Sequence, residues 1–207
     1  AKARVEARYA ENPSVSDFQD MANSSNPINQ RAGTYGLAII ALDRGQYNTA
    51  SEHINTLLKD EPNNPFYIDV QTDILLGQEN YEYVMDWLEG KYIRQPTEPV
   101  ITINFANAAL TSGNGKLAEK LLREFLLQNP NHPLALDLLT RVYEKSGKRA
   151  AMYETRAEAL ALRGNFPLAI NQLHTAHNHT DNDITRKRIN ARIDQLRALE
   201  NQARNIM

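Results

Sequence analysis

Apolar residues recur along this chain at intervals of three and four, the spacing of one helix face, and no run alternates apolar and polar residues between hairpin turns. Leu117, Leu121, Leu122 and Phe125 form one such stripe; Ile189, Ile193, Leu196 and Ala203 form another. The pattern predicts an all-α chain of about 12 helices with no sheet. Asn12-Pro13-Ser14 and Asn23-Ser24-Ser25-Asn26-Pro27 break the first thirty residues into a short helix over 2–11 and another near 15–23. At the other end a long helix over 183–204 starts behind Thr180-Asp181-Asn182-Asp183, residues suited to an N-cap. Arg186, Lys187, Arg188, Arg192 and Arg197 lie mostly off its apolar line, so this helix reads as a cap: one face for the core, one for water.

Between these ends the breakers are periodic. Pro62-Asn-Asn-Pro65, Pro96-Thr-Glu-Pro99 and Pro130-Asn-His-Pro133 are spaced by 34 residues, and they hold six of the nine prolines. If 31–64 is the first unit, its eighth position carries Ala38, then Thr72, then Ala106. The twentieth carries Ala50, Val84 and Ala118; the twenty-fourth carries Ile54, Leu88 and Leu122. A turn splits each unit: Arg44-Gly45-Gln46, Gly77-Gln78-Glu79 and Ser112-Gly113-Asn114-Gly115. Each feature has a mechanical role. Small residues let two helices approach, Gly ends the first helix in a left-handed cap, and the second Pro of each doublet opens the next helix. After Pro133 helices are expected over 133–146 and 148–163. Gly164-Asn-Phe166-Pro-Leu-Ala169-Ile-Asn-Gln-Leu173-His-Thr-Ala176 then restarts the second-helix pattern half a period early. One helix thus closes the fourth unit and opens the fifth.

The period, the Pro, the Gly turn and the small positions resemble the tetratricopeptide repeat (TPR). That family's large fourth-position aromatic is absent, with Thr34, Ile68 and Thr102 in its place, and Gly77 comes two residues early. The resemblance implies a right-handed TPR superhelix, an α-solenoid, divided as follows. Residues 1–30 are linker or capping helices; 31–64, 65–98, 99–132, a half-unit 133–149 and 150–183 are repeats; 184–207 is the cap. It also implies that partners bind a concave face lined by the first helices. The matching positions are Tyr35, Ile39, Phe66, Asp69, Asp73, Asn107, Asp137, Arg141 and Glu144, with Glu154 and Glu158 on the half-step helix. This face reads apolar at its start and acidic beyond. Two readings stand: ordinary solvated helix charge, or a groove for a basic or polar partner segment. The carboxylate-clamp subclass is excluded, because Tyr35 and Ile39 stand where it needs Lys and Asn, and Asp69 and Asp73 would repel its ligand.

Composition narrows the chemistry. The formal net charge is −2, with no basic face to mark nucleic-acid binding. No cysteine is present, so there is no disulfide framework and no thiolate. Apolar runs fall well short of the ~18 residues that span a bilayer, and the basic residues of 186–204 are interrupted by Asp194 and Glu200. No His-Glu-x-x-His, Gly-x-Ser-x-Gly or phosphate-loop motif occurs. His174, His177 and His179 with Asp181 and Asp183 form one metal-like cluster, but His179 falls in a turn and a polar helix end explains it. No catalytic residue, cofactor or metal is therefore assigned to this chain.

Some stretches go beyond generic TPR. Arg31-Ala-Gly-Thr-Tyr35-Gly-Leu-Ala38, Asp69-Val-Gln-Thr-Asp73-Ile-Leu-Leu-Gly77-Gln78 and Asn190-Ala-Arg-Ile-Asp-Gln-Leu-Arg197 resemble the C-terminal TPR region of BepA/YfgC-type metalloproteases, the β-barrel assembly-enhancing family. The opening Ala1-Lys-Ala-Arg4 resembles the joint after their protease domain. The resemblance implies a non-enzymatic recognition and regulatory half of a periplasmic zinc protease. Zinc would sit only in a catalytic domain outside this sequence. The implied partners are that domain and the outer-membrane β-barrel assembly machinery or its substrates, with no nucleic acid and no membrane insertion. The alternative is a stand-alone TPR adaptor that holds a peptide in its groove.

Overall fold

The computed structural model describes residues 2–10 and 14–204. The expected end of the first helix at 11, the breaker Asn12-Pro13 and the last three residues of the 184–207 segment lie outside that range. Among the described residues there are twelve α-helices and no strand. They are α1 (Lys2–Tyr9), α2 (Val15–Ala22), α3 (Pro27–Asp43), α4 (Tyr47–Asp60), α5 (Pro65–Gly77), α6 (Tyr81–Arg94), α7 (Pro99–Thr111), α8 (Gly115–Gln128), α9 (Pro133–Lys145), α10 (Arg149–Leu162), α11 (Phe166–Asn178) and α12 (Asp183–Arg204). The chain forms two compact units, Ala1–Ala108 and Ala109–Met207, with the division inside α7.

Helix starts follow the expected chemistry. Asn26 accepts from the backbone N–H of Ile28 at 2.9 Å, and Pro27 takes the first helical position, so α3 begins four residues ahead of the 31–64 unit. Asn64 accepts from Phe66 at 3.0 Å in front of Pro65 in the same way. Helix ends within the pairs share one device. The N–H of Gln46 reaches the carbonyl of Ala41, Asn80 that of Leu75, Asn114 that of Ala109, Lys148 that of Tyr143 and Asn165 that of Leu160. These are six-to-one bonds around a residue of positive φ, the Schellman ending. Gly45, Gly113, Gly147 and Gly164 supply that residue; in the second repeat it is Glu79, with φ 56°.

The nine repeat positions read from the sequence are all fully buried: Ala38, Thr72 and Ala106; Ala50, Val84 and Ala118; Ile54, Leu88 and Leu122. In the first unit α3 packs on α4 and α5, and α5 on α6. Ile39, Ile54, Tyr67, Val70 and Ile74 fill its core. Gly77, the early glycine, is needed where it stands: a Cβ there would lie 2.3 Å from the ring of Tyr47. In the second unit α8 through α12 pack in order, each on the next. Its end is closed by Ile189, Ile193 and Leu196 of α12 against Ala157, Ala169, Leu173 and Ala176.

Candidate partner-binding site

In the first unit α1 lies on α3 and reaches α5 through an ion pair. This helix packs on α3 with Ala3 and Ala7 buried, and its Arg4 and Arg8 point onto carboxylates. Arg4 pairs with Asp69 at 2.5 Å and Arg8 with Asp43 at 3.0 Å. Asn104 of α7 donates to the second oxygen of Asp69 at 3.2 Å. Tyr35 and Ile39, expected to present surface, are buried instead. Tyr35 packs against Phe66 and Tyr67 of α5, and Ile39 lies in the same core, with α1 packed on α3 beside them. The Tyr35 hydroxyl donates to the Phe66 carbonyl at 3.5 Å, and burial pushes its pKa up to about 12. Asp73 is raised to about 6, first by burial and then by the neighbouring Asp69, against the pull of Arg8 and Arg4. Phe66 stays 43% exposed, edge-on to Tyr35, and Asn107 on α7 is half-buried.

The second unit pairs three of its four expected acidic positions with arginines in the same manner. Arg163 forks onto Asp137 at 2.5 and 3.3 Å. From α12, Arg188 reaches Glu154 at 2.7 Å and Arg192 forks onto Glu158 at 2.9 and 2.6 Å. Glu154 is raised from its ordinary value by burial, with Arg188 opposing. Arg141 and Glu144 are exposed, with no ion pair among the described residues. Asp69, Asp137, Glu154 and Glu158 are each held by an arginine of this chain. Of the other expected positions, Phe66, Arg141 and Glu144 are exposed, and Asp73 and Asn107 are half-buried.

The residues missed from sequence are Arg4, Arg8, Asp43 and Asn104. A signal existed for the first two: Ala3, Arg4, Ala7 and Arg8 share one helical face, small residues beside two arginines one turn apart. The histidine cluster gives no ligand set. His179 stacks on Tyr153 with ring centroids 5.4 Å apart. Among the described residues no three His, Asp or Glu side chains are grouped to hold a metal ion.

No protein-family model matches the chain. Known proteins do. The β-barrel assembly-enhancing protease of Yersinia pestis is 32% identical over 207 residues, 99% of this chain and 43% of the relative. That of Escherichia coli (strain K12) is 34% identical over 203 residues, 97% of this chain and 42% of the relative. The chain spans less than half the length of these curated relatives. Among solved structures, MamA (41-end) from Desulfovibrio magneticus RS-1 superimposes with a TM-score of 0.53 at 16% identity, covering 84% of this chain and 96% of that one. A tetratricopeptide repeat protein from Parabacteroides merdae ATCC 43184 gives 0.52 at 12% identity, covering 94% and 89%. These two speak to the fold alone. Over nearly its whole length the chain is 32–34% identical to part of the β-barrel assembly-enhancing proteases, and its helix pairs are of the tetratricopeptide type.

Proposed function

We propose that this chain is the partner-recognition and regulatory segment of a periplasmic zinc metalloprotease that serves outer-membrane β-barrel assembly and quality control. One observation carries the reading. The chain matches named proteases over 97–99% of its length, yet its described residues form helices and no strand, and its sequence contains no His-Glu-x-x-His motif. On this reading the zinc and its ligands belong to the rest of the protein. This chain contributes surface: to the protease domain on one hand, to the barrel-assembly machinery or its substrates on the other. Phe66 is the natural anchor in the first unit, an exposed aromatic beside buried rings. Arg141 and Glu144 offer charge in the second.

Site-specific photocrosslinking in living cells tests this. A photoreactive residue replaces Phe66, Asn107 or Arg141, with the exposed Leu127 of α8 as the comparison. The expected result is adducts with outer-membrane β-barrel proteins or their assembly factors from the first three positions and none from 127. Adducts with unrelated soluble proteins would favour the stand-alone adaptor, and equal adducts from 127 would remove this face.

A further inference from the structure

The helix α1 is held differently from its neighbour α2. Phe18 of α2 is buried against Gly36 of α3, where a Cβ would lie 2.3 Å from its ring. A Cβ on Gly33 would lie 2.3 Å from the backbone of Ala22. That is the contact of a permanent part of the core. In α1 only two alanines are buried, while its large apolar residues, Val5 and Tyr9, are 57% and 75% exposed. A cleft of 650 Å³ remains between α1, α2 and α3, lined by Ala3, Glu6, Ala10, Phe18, Met21 and Ile28 among others. α1 docks on α3. That dock is mainly two ion pairs, each partly open to water, and such pairs hold weakly. Three carboxylates, Asp43, Asp69 and Asp73, share two guanidinium groups.

We propose that α1 is a detachable strap that closes the α3–α5 face and must lift before a partner can reach Tyr35, Asp69 or Asp73. That a partner waits on this lifting rests on the protein-binding function proposed above; the lifting itself is measured on the chain alone. The protein has no cysteine, so single thiols report cleanly. Ala7→Cys places one beneath α1; Ala50→Cys places one in the α4 core of the same unit. Labelling of the native chain with a thiol reagent should proceed about 100-fold faster at 7 than at 50, because a locally opening segment exchanges far below the global unfolding barrier. Arg4→Gln with Arg8→Gln in the Ala7→Cys chain should speed labelling at 7, and so should added salt. Hydrogen exchange of the unsubstituted chain guards against a thiol that disturbs packing: α1 amides should exchange well ahead of those in α3 and α5. Equal labelling at 7 and 50, or α1 amides protected like those of α5, would overturn the strap. Crosslinking that failed from Phe66 while α1 still lifted would count against the function and leave the strap standing.

Discussion

At Glu79 the backbone takes the left-handed conformation that Gly45, Gly113 and Gly147 take at the same place in the other repeats. A side chain there is strained by about 1 kcal/mol. The glycine of this repeat sits at 77 because the ring of Tyr47 needs its missing Cβ. Close approach and left-handed turn are thus divided between two residues, which explains a departure that the sequence showed as a shifted glycine. Glu79→Gly is expected to stabilise the chain by about 0.5–1 kcal/mol, read as a higher urea midpoint at unchanged slope. Asp73 offers a second test. Its folded pKa, about 6, lies above its ordinary 3.8, so the folded state binds the proton first. The stability from that proton is fully present below 3.8 and is lost as pH rises through 6. Arg4 and Arg8 from α1, Asp43 from α3 and Asp69 from α5 set the balance. Asp73→Asn, which keeps the shape without the charge, should stabilise by about 1–2 kcal/mol at pH 7–8. The gain should vanish below pH 4, as measured by denaturant unfolding across the range.

At the scale of elements, helices with a periodic partner were legible and helices with a singular one were not. Ala38, Ala50 and Ile54 announce their burial because Thr72, Val84 and Leu88 repeat it one period on. The cap α12 was legible from its own four-turn apolar line, Ile189 to Ala203. The dock of α1 has no such echo. Its ion-pair partners lie 35 and 65 residues away, and two turns are too short for a period to stand out. The repeat register assigns inner positions as if every first helix faced open space. Two helices, α1 and α12, set arginines on such positions, so Asp69, Glu154 and Glu158 each carry an ion pair that the register does not show. Gly33 and Gly36 did carry a local signal. Two glycines inside a helix mark close backbone approach, and α2 is what approaches.

For the molecule as a whole, a stack of helix pairs is stable only if its last pair is covered, since each pair buries one face on the next. Here the cover is α12, and it acts through two kinds of contact. Ile189, Ile193 and Leu196 are buried, and Arg188 and Arg192 neutralise Glu154 and Glu158 on α10. A chain ended at Asn182 would bare Leu173 and Ala176 to water and leave both glutamates without their partners. The apolar loss alone is on the order of 5 kcal/mol for three large side chains, a sizeable part of what holds a domain together. Because contacts in such a stack are local, the damage should be local too. Hydrogen exchange of the shortened chain is expected to show α10 and α11 unprotected while α3 and α5 keep their rates. Loss of protection in both units at once would mean that the chain unfolds as a single cooperative body, and that its two ends cannot be read as separate covers.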